Sequence, residues 1–365
     1  MVENAPLPPG TKRYDPSVVE AFLASAFRAV GLDTGDAALV AEVLVGADLR
    51  GVRSHGAARL SYFLNFLERG MINVAPNMTF TQNTDTTGIF DADNGMGIIA
   101  AGRAMDEAMK MAGKHGSGFI VVANSSHFGY AGYWAERAMR KGFVGISMSN
   151  SGGRTTPTYA AEGMLGTNPF SLGIGGGDGG TDFLLDMATT TVAVGKIETA
   201  LREGREVPPG WVSEAHGKPA LNERGVLRYD SPLLPLGGAG TEHGGHKGFG
   251  LNLMVELLCG ALGGTPFADR IAGADGKARP AMGHLMGAIQ IAGFRRPEAV
   301  HADMQETFKI LRGAKKEPGQ DRVYIHGEPE AIATEENRRI GIPITPKVLE
   351  QLHAAAERLR INDTL

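Results

Sequence analysis

Two segments of the chain concentrate residues able to exchange protons beside a carboxylate. The first runs Asp48-Leu49-Arg50-Gly51-Val52-Arg53-Ser54-His55-Gly56-Ala57-Ala58-Arg59. It sets arginines, a serine and a histidine between two stretches of helical periodicity. An imidazole titrates near neutrality, and a helix end or a neighbouring guanidinium shifts it. Ser54 is placed to orient or relay to the His55 ring. Arg59, four residues on, is predicted to share a helical face with His55. A guanidinium forks a carboxylate while an imidazole exchanges a proton with the oxygen or nitrogen beside it. The pair suits a small carboxylate-bearing substrate. A solvated helix junction would carry the same residues, so residue types alone leave both readings open.

The second segment is Asn124-Ser125-Ser126-His127-Phe128-Gly129-Tyr130, directly after the apolar run GFIVVAN. Polar residues where a strand gives way to a helix are where α/β proteins place ligands. They also cap helices. Leu165-Gly166-Thr167-Asn168-Pro169-Phe170 is a polar turn between apolar stretches. Asp186-Met187-Ala188-Thr189-Thr190 sets a carboxylate at a strand end ahead of a helix. There it either caps that helix or pairs with an imidazolium or a ribose.

The elements that position these residues follow from periodicity and punctuation. Asp15-Pro16 starts a helix that ends at Gly31, and a second is predicted over 34–47. A third follows His55, with Leu60, Phe63, Leu64 and Leu67 on one face, and ends at Gly70. Strands are predicted over 88–93, 118–124, 143–150 and 183–188, with helices over 97–114 and 130–140. A helix over 247–262, a strand over 322–325 and helices over 329–339 and 346–360 complete the chain. The segment 208–245 reads as a long ordered loop. Alternating strands and helices predict an α/β class with at least partly parallel pairing.

Composition limits the function classes. The chain has 365 residues, 52 of them glycine, one cysteine, and a net charge of −4. A single cysteine excludes an internal disulfide framework and a CxxC zinc site. Cys259, inside LNLMVELLCGAL, reads as a buried thiol. The charge balance does not suggest nucleic-acid binding. No apolar run is long enough to span a bilayer, and 1–14 lacks the apolar core of a secretory signal, so a cytoplasmic protein without membrane contact is expected. His243 and His246 form an HxxH pair with no third ligand nearby, so no metal is expected. Gly175, Gly177 and Gly180 formally satisfy GxGxxG, but a strand rather than a helix follows, which argues against a Rossmann turn.

Taken in order, these segments resemble the non-Rossmann malate/L-lactate dehydrogenase family. That family also includes ureidoglycolate and sulfolactate dehydrogenases, diketogulonate reductase and piperideine-2-carboxylate reductase. The resemblance runs from about Asp15 to Leu359. It is carried by RGVRSHGAARL (50–60), NSSHFGYAGYWAERA (124–138), LGTNPF (165–170), DMATT with AVGKI (186–197), PLGG (235–238), HKGFGL (246–251) and GEPE (327–330). It implies a non-Rossmann NAD(P)-binding α/β fold with a mixed central sheet. A helical domain would be formed by 1–75 with 320–365, around a cofactor-binding region over 76–319. It implies NAD or NADP as cofactor and a homodimer or larger homo-oligomer with the site near the subunit interface.

The resemblance also implies residue roles. His55 would be the acid/base, with Ser54 its relay partner, and His127 a second active-site histidine that some members use instead. Asp186 would join the catalytic group and, with Met187 and Ala188, a turn on the cofactor. Arg59 and Thr167 would bind substrate. Asn150, Ser151, Lys247, Gly248, Gly327, Glu328 and Pro329 would contact the cofactor. The sequence departs from the family pattern at Arg53, where Asp is common, at 159–162, at 210–223, and at His326, where Pro is usual. These departures bear on the substrate more than on the reaction. Two other readings stand beside the 2-hydroxy acid dehydrogenase: a reductase of a cyclic imino acid or diketo-sugar acid on the same fold, and a silent binding protein. The glycines of 161–250 are expected to let irregular backbone approach the cofactor through several separate turns.

Overall fold

The computed structural model describes residues 7–194, 196–197, 207–208, 210–213, 232–272 and 281–365. Strand β1 (Lys12–Tyr14) leads into helices α1 (Pro16–Ala29), α2 (Thr34–Leu49) and α3 (Leu60–Glu68). Strands β2 (Thr79–Gln82) and β3 (Thr87–Asp91), helix α4 (Gly97–His115), strand β4 (Ser117–Ser125), helix α5 (Ala131–Met139) and strands β5 (Phe143–Ser149), β6 (Phe170–Ile174) and β7 (Phe183–Met187) follow. Helix α6 (Gly245–Glu256) runs into a wider π-helical turn at Leu257–Ala261. Strand β8 (Met282–Gln290), helices α7 (Pro297–Arg312) and α8 (Glu328–Ile340), strand β9 (Ile342–Ile344) and helix α9 (Pro346–Leu359) end the chain.

Local signals account for several ends. The Asp15 carboxylate accepts from the Ser17 N–H at 2.8 Å, and Pro16 takes the first helical position of α1. Asp33 caps α2 by accepting from the Asp36 N–H at 2.9 Å. Pro346 likewise opens α9. One buried core joins α1, α2 and α3 to α4, β4, β8, β9 and α9.

Among the described residues the main sheet has seven strands in the order β2-β3-β4-β8-β5-β6-β7, and β1 pairs with β9 apart from it. Among the described strands of this sheet, β3 and β4, joined by α4, run parallel and the other pairs are antiparallel. The sheet is mixed, with partly parallel pairing as expected, confined to that one strand pair among the described residues. β8, unpredicted, enters the middle of the sheet and pairs antiparallel with both β4 and β5. The segment 322–325, predicted as a strand, is irregular and pairs with no strand among the described residues. The GxGxxG segment is the hairpin loop between antiparallel β6 and β7, not a turn into a helix.

Register decides where function gathers. Ser125 pairs with Met282, Ser149 with His284, Met148 with Phe170, and Phe170 with Met187. The C-terminal ends of β4, β5 and β7 and the N-terminal ends of β6 and β8 therefore lie along one sheet edge. Four of the polar segments singled out in the sequence leave the sheet there: 124–130, 150–151, 165–170 and 186–190.

Candidate active site

The His55 segment folds as two short 3-10 turns, Arg53–His55 and Ala57–Arg59, ahead of α3. His55 and Arg59 thus do not share a helical face. The chain turns at Gly56, and Arg59 folds back so that its Nε donates to the Ser54 carbonyl at 2.6 Å. Ser54 Oγ lies 3.0 Å from His55 Nδ1. The turn is held from beneath by Asp48, 3% exposed at the end of α2, whose Oδ2 accepts the Ala57 N–H at 2.7 Å. A Cβ at residue 56 would lie 1.9 Å from Asp48 Oδ1, so only glycine lets the carboxylate reach. Burial pushes the Asp48 carboxyl up to about 7; the Ala57 N–H and Arg53 pull the other way.

The second histidine leaves the end of β4. Ser126 Oγ accepts the Gly97 N–H at 2.9 Å and donates to the Gly95 carbonyl at 3.1 Å, so it ties this loop to the start of α4. The Gly129 N–H donates to His127 Nδ1 at 3.2 Å, which leaves the proton of the neutral ring on Nε2. The His55 and His127 rings stack with centroids 5.5 Å apart and planes 29° from parallel. Tyr62 and Phe63 of α3 stand edge-on to His127, each at 5.9 Å. Burial, then the Arg59 charge, lowers the His55 pKa to about 3. The same two causes, then His55 and His284, hold His127 well below the ordinary value. Both rings are half-buried and neutral at physiological pH.

His284, missed in the sequence because β8 was not recognised, lies fully buried beneath this edge. Its Nδ1 and Nε2 each lie 2.9 Å from a serine hydroxyl, Ser149 and Ser125 respectively. Ser149 Oγ gives its proton to the Asn150 carbonyl at 2.9 Å. His284 Nδ1–H therefore donates to Ser149, and Nε2 accepts from Ser125. The Phe128 ring stacks on His284 at 4.6 Å. Burial lowers its pKa to about 3. This neutral ring joins the strand end leading to His127 with the one leading to Asn150.

Asp186 stands at the end of β7 and packs against the first turn of α5, where a Cβ at residue 132 would lie 2.6 Å from its Oδ2. Its nearest helix start is therefore that of α5, across the sheet edge. α5 has no side-chain cap of its own, since its N-cap residue is Tyr130. Surrounding protein raises the Asp186 carboxyl to about 6, by burial first, although its own surface stays open to solvent. Met187 and Ala188 follow, half-buried. Gly327 packs against Leu184 of the same strand, and the Leu184 N–H donates to the His326 carbonyl at 3.0 Å. Glu328 is committed internally. Its Oε1 meets Arg312 at 2.7 Å and Arg322 at 3.2 Å, and its Oε2 accepts the Ile325 N–H at 2.6 Å. Those bonds hold 322–325 in its irregular path. Pro329 occupies the first turn of α8.

The remaining predicted residues form a third group. Ser151 Oγ accepts the Thr167 N–H at 3.2 Å, and the Thr167 carbonyl accepts the Thr189 N–H at 3.0 Å. Asn150 is buried beside them. Lys247 and Gly248 lie in the first turn of α6. A Cβ at residue 248 would sit 2.0 Å from the Leu236 carbonyl, so the 235–238 turn rests directly on that helix. No cluster of three metal-ligating side chains exists among the described residues.

Comparison with known proteins decides the family. The sequence profile of the malate/L-lactate dehydrogenases matches residues 14–353. The chain belongs to the malate/L-lactate dehydrogenase family. It is 37% identical to a malate dehydrogenase of Pyrococcus abyssi over 340 residues, 93% of each chain. It is 32% identical to the NAD(+)-dependent ureidoglycolate dehydrogenase of Escherichia coli, over 88% of this chain and 89% of that one. The solved structure of malate dehydrogenase from Pyrococcus horikoshii superposes with a TM-score of 0.89 at 33% identity, covering 99% of both chains.

The site can be tested for fit to the dinucleotide cofactor of such a dehydrogenase. The α6 N-terminus has Gly244 as N-cap, at φ 85°, and no side-chain cap. His246 and Lys247 stand exposed in its first turn. The His246 N–H donates to the Gly240 carbonyl at 3.1 Å and the Lys247 N–H to the Gly244 carbonyl at 2.8 Å, so the group that suits a phosphate here is the exposed Lys247 ammonium at the positive end of the helix. In this member of the family the residues present fit the group. Among the described residues no helix is long and apolar enough to cross a membrane.

Proposed function

We propose that this dehydrogenase interconverts a small 2-hydroxy acid and its 2-oxo acid, using NAD(H) or NADP(H). The carrying observation is the neutral His55–His127 stack with Arg59 folded beside it. The cofactor, when bound, accepts or supplies the hydride. Asn150, Ser151, Met187, Ala188, Lys247, Gly248 and the Gly327–Pro329 turn would hold it, the last through backbone, since the Glu328 side chain is engaged internally.

The chain's own residues do the rest. Arg59 holds the substrate carboxylate, which fixes the reacting carbon near the imidazoles. Thr167 adds a contact from the opposite turn. In oxidation His55 Nε2 accepts the hydroxyl proton; in reduction it returns it. Ser54 supports the ring at Nδ1, and a hydroxyl can both donate and accept there. A carboxylate on Arg59 offsets the charge that depresses His55, so the ring becomes more basic when substrate is present. His127, its proton on Nε2, donates to the substrate oxygen. Asp186 packs on the start of α5 behind them.

We further propose a cytoplasmic homodimer. Leu253, Met254 and Leu257 project from α6 and the turn after it, an apolar stripe suited to a second copy. Sedimentation tests this.

The function is tested by mixing the protein with NADH or NADPH and a panel of oxaloacetate, pyruvate, sulfopyruvate and a cyclic imino acid, reading absorbance at the nicotinamide band. Turnover of a 2-oxo acid supports the reading. Turnover of the cyclic imine alone, or no cofactor binding, contradicts it.

A further inference from the structure

Helix α6 carries a single charged residue in its second half, and that residue is buried. Glu256 is 3% exposed. Its Oε1 accepts from Asn150 Nδ2 at 3.1 Å and from the Ala268 N–H at 3.0 Å. Its Oε2 accepts from Asn168 Nδ2 at 2.7 Å. The carboxylate is thus met by donors from three separate segments. Two of them are the turns expected to touch cofactor and substrate. The π-helical turn begins at the next residue, a distortion that proteins often place at functional sites.

Both asparagines are locked in orientation. Asn150 Oδ1 accepts the Gly283 N–H at 2.7 Å, so its NH2 must face Glu256. Asn168 Oδ1 accepts the Ser151 N–H at 3.1 Å, and its NH2 also reaches Asn252 Oδ1 at 2.9 Å. Asn252 in turn donates to the Gly166 carbonyl at 2.8 Å. Asn168 sits at φ 38°, a left-handed conformation that needs such support. Glu256 therefore reaches Asn150 directly, and Ser151, Gly166 and Thr167 through the Asn168–Asn252 pair.

We propose that Glu256 is the positioning residue that sets the cofactor turn at Asn150–Ser151 and the substrate turn at Gly166–Thr167 in one arrangement. The proposal rests on the function given above. It requires an acceptor on both oxygens of residue 256. A glutamine has one acceptor, and its NH2 must point at Asn168 Nδ2 or at the Asn150 and Ala268 donors. Either choice sets donor against donor in a buried site. Both turns should loosen together.

The test is Glu256→Gln, with NADH and NADPH affinity read by fluorescence titration, KM and kcat for the 2-oxo acid, and Tm. Cofactor Kd and substrate KM should each rise tenfold or more, with far-UV circular dichroism unchanged. A core variant far from the edge, Phe27→Leu, should lower Tm while leaving Kd and KM at wild-type values. Wild-type Kd and KM in Glu256→Gln would overturn the proposal, as would the same loss in Phe27→Leu. Should Glu256→Gln fail to fold, hydrogen exchange on the wild-type protein decides. Cofactor binding should slow the Ser151, Thr167 and Ala268 amides together, and protection confined to one of them overturns the coupling. Failure of the wild-type protein to bind either nucleotide would instead strike the functional reading, and this proposal with it.

Discussion

The His55 and His127 rings lie stacked at 5.5 Å although they leave different elements, one a turn after α2 and the other the end of β4. The contact needs two supports. Asp48 holds the first turn through Ala57, and Ser126 ties the second to α4. Between them the rings form a half-buried, neutral pair with a guanidinium at its side.

Arg59→Ala should raise KM for a 2-oxo acid by roughly ten- to a hundredfold, since hydrogen bonds to charged groups contribute about 1.5–3 kcal/mol. It should also raise the His55 pKa, because the lost charge is one of its two depressors. Steady-state kinetics and imidazole NMR check the two effects. Arg59→Lys should recover only part of the KM, lacking the fork.

The histidines predict an acid response. His55 and His284 have folded pKa values of about 3, below the unfolded value of 6.5. The unfolded chain binds more protons between those limits, so these groups cost stability as pH falls from 6.5 towards 3. Their imidazole resonances should not titrate between pH 8 and pH 5. Titration near 6.5 would contradict the burial argument.

Asp48 has the opposite sign. Its folded pKa of about 7 lies above the unfolded 3.8, so its contribution to stability is present at low pH and is lost as pH rises through 7. Asp48→Asn keeps an acceptor for the Ala57 N–H but carries no charge. Its Tm relative to wild type should climb as pH rises from 3.8 towards about 7 and level off above that. A difference independent of pH would show that Asp48 does not titrate there.

Gly56→Ala should be among the most damaging small substitutions. The new methyl would meet the Asp48 carboxylate and break its bond to Ala57, releasing the His55 turn. We expect at least about 2 kcal/mol of lost stability, from one unsatisfied buried group and local strain. Denaturant unfolding checks it, and kcat should fall with the stability.

Much of this site was legible by residue type. Ser54, His55, Arg59 and His127 stood out because a guanidinium and imidazoles in short polar turns suit a carboxylate-bearing substrate, although a solvated helix junction or a helix cap would carry the same residue types. Helices with a capping carboxylate and proline, such as α1, were equally plain. The misses share one cause: they depend on contacts. β8 carries Gly283 and Gly287 and is buried on both flanks, so no alternation marks it, and His284 was lost with it. Glu256 was visible as a lone charge in LNLMVELLCGAL, yet its role exists only once Asn150 and Asn168 converge on it. The helix face assigned to His55 and Arg59 failed because Gly56 divides that segment into two turns.

The most direct test is His55→Ala assayed beside wild type with NADH and NADPH, measuring nucleotide affinity by fluorescence and 2-oxo acid turnover by absorbance. The account predicts nucleotide affinity within twofold of wild type and kcat lowered by roughly 10²–10⁴, the range for loss of a positioned acid/base. Unchanged turnover in His55→Ala would contradict it.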